Sequence, residues 1–283
     1  MKKGLVLEGG AMRGLFTAGV LDVMLEHNIE FDGAVGVSAG ACFGCNYKSK
    51  QIGRTLRYNK RFAKDKRYCS LYSLLTTGDL YGADFCYHEI PEKLDVFDEE
   101  TYENNPMEFY VVCTDAETGE PVYHRIDTGN EGNLEWIRAS ASMPVVSRAV
   151  EIGGKKLLDG GISDSIPLDW FTSIGYDRNV VVLTRPADYV KEPLPMKHGM
   201  KLLLKKYPAV YEKLLVRHEM YNRTTEKIRE MQKKGEVFVI QPAHPLGIGK
   251  VEHDPEKMEQ VYRIGRMTME AQLADLKKFL KSM

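Results

Sequence analysis

The chain has 283 residues, 39 lysines and arginines against 40 aspartates and glutamates, a formal net charge of -1, and 43% hydrophobic residues. That length holds one large α/β domain or two modest ones with a sizeable core, and the balanced charge offers nothing to a nucleic-acid backbone. Cys42, Cys45, Cys69, Cys86 and Cys113 are an odd number set in apolar or helical stretches, so they read as reduced thiols rather than a disulfide scaffold.

Leu5-Val6-Leu7 reads as a buried strand closed by Glu8-Gly9-Gly10, after which Leu15, Ala18, Leu21 and Leu25 recur at helical spacing. Met1-Lys2-Lys3 mimics a secretory start, but Glu8 and two glycines cut the apolar run short. No stretch reaches the roughly 18 apolar residues of a membrane span, so a soluble, cytoplasmic protein is expected. A second apolar run, Ala34-Val35-Gly36-Val37, ends at Ser38, and residues 39–48 continue without proline as a helix. Two strand–turn–helix units this early predict a mostly parallel, buried sheet.

Residues 51–106, rich in charge and tyrosine, read as helices and loops without a periodic strand. Residues 109–114 form a strand with 122–126 as partner, and 133–140 a short helix. Val150-Glu151-Ile152 and Lys156-Leu157-Leu158, joined by Gly153-Gly154, make a hairpin ending at Asp159-Gly160-Gly161. The last strands are 179–183 and 236–240, with mostly helical chain at 193–234 between them and a final helix running to Met283. These late strands predict that 173–283 completes the sheet of 4–172, with additional helices, rather than folding apart.

Gly36-Val37-Ser38-Ala39-Gly40 places small residues around a serine at a strand-to-helix turn, which pushes the hydroxyl outward as a nucleophile elbow; a glycine-rich turn with a solvated serine is the plain alternative. Gly9, Gly10, Ala11, Met12, Arg13 and Gly14 form a loop ahead of a helix, where backbone N–H groups suit a phosphate or the oxyanion of acyl transfer equally well. Met12 breaks a dinucleotide fingerprint, and a P-loop fails for want of Gly-Lys-Ser/Thr. A lone Cys42-x-x-Cys45 lacks a second pair or a nearby histidine, so no metal site is expected there.

A hydrolase triad would need a histidine after the acid; among His198, His218, His244 and His253 only His244 sits in a loop suited to a base, and Ser38 follows too few strands for that fold. A carboxylate can instead deprotonate the serine directly. Asp159, at a strand end before Gly160 and Gly161, is placed for this; an Asp-Gly turn with a local hydrogen bond is the plain alternative.

In order and spacing, the blocks 9–14, 36–40 and 159–161 resemble the patatin-like phospholipase family, and Ala139-Ser140-Ala141-Ser142-Met143-Pro144 is similar to its further Ala-Ser…Pro block. The resemblance covers residues 4–172 as the catalytic domain. It implies a three-layer α/β/α fold with a mostly parallel central sheet, Ser38 as nucleophile and Asp159 as general base of an acyl-enzyme mechanism, and an oxyanion hole from the 9–14 loop. Arg13 would buttress that loop or meet substrate phosphate. The implied substrates are lipid carboxylic esters, with no metal or organic cofactor. Ala11 replaces a third glycine, which matters only if that position needs positive φ, and Ser165 replaces an asparagine frequent before Ile166-Pro167. A phosphate- or nucleotide-binding module without turnover, and an acyltransferase using the same serine, are the alternatives.

Two basic stretches bear on the substrate. Residues 196–217 mix Leu202, Leu203, Leu204, Val210, Leu214, Leu215 and Val216 with Lys197, Lys201, Lys205, Lys206, Lys213 and Arg217, fitting an anionic membrane surface contacted peripherally or an outer helix with its lysines in water. Arg54, Arg57, Lys60, Arg61, Lys64, Lys66 and Arg67, interleaved with Tyr58, Phe62 and Tyr68, fit either phosphate recognition at the site's mouth or a solvated face. The oligomeric state stays open.

Overall fold

A computed structural model describes residues 1–281; Ser282 and Met283, the expected end of the last helix, lie outside the described residues. The first strand shows why two helical layers are needed. β1 (Lys2–Leu7) sends Leu5 and Leu7 into one apolar cluster and Val6 into another, because alternate side chains of a central strand are buried on opposite faces.

The chain continues through a 3-10 turn (Ala11–Arg13) into α1 (Gly14–Glu26), β2 (Gly33–Val37) and α2 (Ala39–Lys48). Next come α3 (Arg54–Phe62), α4 (Leu71–Thr77), a π-helix (Phe85–Leu94) and α5 (Glu99–Asn104). Then follow β3 (Glu108–Asp115), β4 (Pro121–Arg125), α6 (Glu131–Ala141), β5 (Val150–Ile152), β6 (Lys155–Asp159) and α7 (Leu168–Ser173). The last elements are β7 (Tyr176–Val182), α8 (Lys197–Leu203), α9 (Pro208–Lys233), β8 (Val237–Ile240) and α10 (Pro255–Lys281).

All eight strands join one sheet in the order β5-β6-β3-β2-β1-β7-β8, with β4 also on β3. Strands β3, β2, β1, β7 and β8 pair in parallel, β4 and β6 run antiparallel to β3, and β5 pairs antiparallel with β6. Helices α1, α2 and α10 share the cluster of Leu5 and Leu7, while α7 and α9 share that of Val6. The expected three-layer α/β/α architecture is therefore present. No helix among the described residues is long and apolar enough to cross a membrane.

The register at β3 positions the site. Val112 pairs with Val37 of β2 and Tyr123 of β4, and the next residue, Cys113, pairs with Val122 of β4 and Asp159 of β6. With β4 on one edge, β2 and β6 must share the other. They run toward each other and stop one residue apart, so Ser38 and Asp159 meet.

Two local readings change. The basic amphipathic stretch 196–217 is not one helix: the residue before a proline disfavours helical backbone, and the chain breaks at 204–207 before Pro208 starts α9. Helix α1 is buried almost all round rather than along one stripe, because α10 covers its outer side. The two helices touch backbone to backbone. A methyl at Gly19 would run into the Tyr262 carbonyl, and one at Gly265 into that of Phe16.

Gly19→Ala and Gly265→Ala are therefore each expected to cost about 1–3 kcal/mol by overpacking. An unchanged urea midpoint in both variants would show that the crossing is looser than described.

Candidate active site

Ser38 sits between β2 and α2 with φ 54° and ψ -120°, a backbone conformation that costs a non-glycine residue about 1–3 kcal/mol. Packing enforces it. Side chains at Gly36 and Gly40 would strike the backbone at residues 40–41 and at Leu7, so the strand must pass close beneath the start of α2. The Ser38 N–H donates to Ser140 Oγ at 2.9 Å, and that hydroxyl donates to the Val112 carbonyl at 2.6 Å. Ser140 thus ties the elbow to β3, a role its sequence block did not disclose.

Asp159 ends β6 with its N–H on the Ser142 carbonyl at 2.8 Å and its Oδ1 accepting the Gly161 N–H at 2.7 Å. Its carboxyl lies near enough to the Ser38 hydroxyl for that group to favour the ionised form. Ser38 and Asp159 are 9% and 7% exposed. Burial raises the Asp159 pKa above the ordinary carboxylate value, against the pull of the nearby Ser38 hydroxyl, Arg217, the Gly161 N–H and Lys250. Gly160 is needed because any side chain there would collide with the Val112 carbonyl. Arg217 Nε donates to the Gly161 carbonyl, and Ser165 Oγ donates to the same oxygen at 2.7 Å, so serine does hold this turn where asparagine is frequent.

The 9–14 loop stands beside Ser38: Gly9 lies against its Cβ, and Ala11, Met12 and Ser38 border one pocket. Ala11 has φ 49°, so the glycine it replaces would have been the relaxed choice. Among the described residues the N–H groups of Gly10 and Ala11 donate to nothing, while that of Arg13 bonds the Gly10 carbonyl. Glu8, just before the loop, is buried but fully satisfied. Its Oε2 accepts from the Thr184 N–H (2.5 Å) and hydroxyl (3.0 Å), and its Oε1 accepts from Tyr221 (2.7 Å). Gly14 begins α1 against Phe43 and Ala39.

From Ser38 the pocket runs between α2, α3, the π-helix and α6, about 950 Å³ of space that is partly open to solvent. Its walls include Cys42, Tyr58, Tyr87, Ile90, Leu134 and Ile137. Burial pushes the Cys42 thiol up to about 12, that of Cys45 to about 11, and the phenols of Tyr58 and Tyr87 well above their ordinary value, so these four groups are neutral, while Arg54, which also lines the pocket, is paired with Asp95. The C-x-x-C pair thus lines the pocket as protonated thiols. Residues 51–106 read in the sequence as helices and loops without a periodic strand, and how they pack into a pocket wall is not legible there.

Other candidates are not brought to Ser38. His244 is exposed, and no hydrogen bond among the described residues links it to Ser38 or Asp159. The 54–67 patch is largely consumed inside the molecule. Arg54 is buried against Asn46 and the Asp95 carbonyl, Arg57 pairs with Asp95, Lys60 with Glu259, and Arg67 with Asp65 and Glu89.

The family model described as patatin-like phospholipase matches residues 5–171, and a second, a domain of unknown function, matches 207–281. The chain belongs to the patatin-like phospholipase family, which supports lipid hydrolysis as its general activity. The uncharacterized protein YjjU of Escherichia coli is 28% identical over 98% of this chain and 78% of its own length. Lysophospholipase nte1 of Aspergillus fumigatus is 27% identical over 70% of this chain, which corresponds to 13% of that much longer protein. The crystal structure of VipD from Legionella pneumophila matches with a TM-score of 0.46 and 13% identity, over 97% of this chain and 67% of that one.

Relaxing the loop should be measurable. Ala11→Gly is expected to stabilise the fold by about 1 kcal/mol, seen as a higher thermal midpoint; a lower one would mean the positive φ is not intrinsic to this loop.

Proposed function

We propose that this chain is a serine lipid acyl hydrolase with a Ser38–Asp159 dyad. The observation that carries this is the delivery of Ser38 and the buried Asp159 to one spot by β2 and β6, whose ends stop one residue apart on β3, with Ser38 bordering a long, mostly apolar pocket. The pocket takes the acyl chain and leaves the ester carbonyl over Ser38. As Oγ attacks, Asp159 accepts its proton, and the charge developing on the carbonyl oxygen is met by loop N–H groups, those of Gly10 and Ala11 being uncommitted. The alcohol leaves with the proton from Asp159. Water then attacks the acyl-enzyme while Asp159 takes its proton and returns it to Ser38, releasing the fatty acid.

The raised pKa of Asp159 suits this work, because a stronger base takes the serine proton more readily. Peripheral contact with an anionic lipid surface has support on α8: Met196, Leu202 and Leu203 are 81%, 75% and 62% exposed beside Lys197, Lys201 and Lys205.

Ser38→Ala and Asp159→Asn should each lower ester hydrolysis by about 10³-fold or more, and a fluorophosphonate probe should label Ser38 in the wild type alone. Full turnover in either variant would remove the dyad. Since Asp159 must be ionised, activity should rise with pH through an acid limb lying above the ordinary aspartate value. Stability runs the other way: folding favours protonated Asp159, so its contribution is lost as pH rises through the folded-state pKa, and Asp159→Asn should unfold no earlier than wild type at neutral pH.

The pocket assignment has its own test. Leu134→Trp narrows the passage between α6 and the π-helix and should shift kcat/KM toward short acyl chains by about tenfold or more; an unaltered chain-length profile would place the acyl group elsewhere.

A further inference from the structure

The apolar pocket is bordered by Ser38; near Asp159 and the 9–14 loop stands a group of cations. On α9, Arg217 and Tyr221 lie one helical turn apart, Arg217 bound to the Gly161 carbonyl and Tyr221 to Glu8. Lys191 Nζ sits 4.9 Å over the Tyr221 ring, and the Arg185 guanidinium 4.3 Å over Tyr189, itself edge-on to Tyr221. Arg13 projects from the 9–14 loop with a buried Nε that has no hydrogen-bond partner among the described residues. Lys250, on the chain after β8, lies within electrostatic reach of Arg13, Arg217 and Asp159.

None of Arg13, Arg185, Lys191, Arg217 and Lys250 forms an ion pair among the described residues, although Arg57, Lys60, Arg67 and Arg266 elsewhere each have a carboxylate. The facing acids are Glu8, whose two oxygens are occupied by Thr184 and Tyr221, and Asp159. The uncompensated field is felt by its members: burial, with Arg217, Arg13 and Arg185 nearby, pushes the Lys191 ammonium down to about 8.

We propose that this flank is a subsite for a phosphate monoester head group, so that the preferred substrate is a lipid ester carrying two negative charges and no ammonium. This rests on Ser38 acting as the nucleophile. A phosphate monoester would receive charge-assisted bonds from guanidiniums whose forks are not tied to carboxylates, Arg13 above all. A zwitterionic choline head group would bring its own cation into the same field and lose that advantage. The selectivity is a matter of charge, since the apolar pocket treats the acyl chains of both lipids alike.

Three substrates with one acyl chain decide it: lysophosphatidic acid, lysophosphatidylcholine and monoacylglycerol, presented in neutral detergent micelles. For the wild type, kcat/KM for lysophosphatidic acid should exceed that for lysophosphatidylcholine by about tenfold or more, an advantage that shrinks in high salt. Arg185→Gln and Lys191→Gln should each reduce the ratio of lysophosphatidic acid to monoacylglycerol turnover by about fivefold. Equal rates on the three lipids, or a ratio untouched in both variants, would overturn the subsite while leaving a hydrolase. Competitive inhibition by inorganic phosphate without any preference for lysophosphatidic acid would assign the flank to free phosphate and overturn the lipid head group. No turnover of any ester and no Ser38 adduct would instead overturn the hydrolase reading itself.

Discussion

Everything at the site depends on two strands that share one edge of β3. Strand β2 ends opposite Val112 and β6 ends opposite Cys113, so residues 121 positions apart in the chain, Ser38 and Asp159, are delivered to the same spot by backbone hydrogen bonding alone. The ladder sets where each Cα stands before any side chain is considered. Ser140 then fastens the meeting point, its hydroxyl taking the Ser38 N–H and giving its own proton to Val112.

Such a junction leaves little room, and the cost is carried in the backbone. Ser38 and Ala11 both hold positive φ, Gly160 abuts β3, and Asp159 is a carboxyl buried against its preference for water. Each departs from what would stabilise the fold, and departures of this kind cluster where chemistry is done. The surrounding layers hold them in place: α1 lies between the sheet and α10, and Glu8 anchors the ends of β1 and β7 to α9 through Thr184 and Tyr221.

Electrostatics divide the surroundings of Ser38 into two halves. On one side thiols and phenols are kept neutral by burial, a setting for hydrocarbon; on the other, Arg13, Arg185, Lys191, Arg217 and Lys250 have no carboxylate partner among the described residues. A molecule with an apolar tail, an ester and an anionic end would meet complementary surroundings along its whole length. The cations around Arg54 to Arg67 differ in kind, because their charge is already neutralised by Asp95, Glu259, Asp65 and Glu89.

By itself the sequence determined the local pieces: the apolar runs that had to be buried strands, the glycines around Ser38 and after Asp159 that permit tight turns, and the family blocks that tied them together. These were legible because turn chemistry and strand burial are properties of a few adjacent residues. Three features were decided only by the tertiary structure. The chain between α2 and β3 carries no period, so its π-helix and tyrosines became a pocket wall only by packing on α2 and α6. Arg217 reads in the sequence as one more basic residue of a helix, and reaches the Asp159 turn only because α9 crosses that face of the sheet. Charged residues look alike along a chain; which are spent on a carboxylate and which remain free depends on distances in space, and those arise only when the sheet closes.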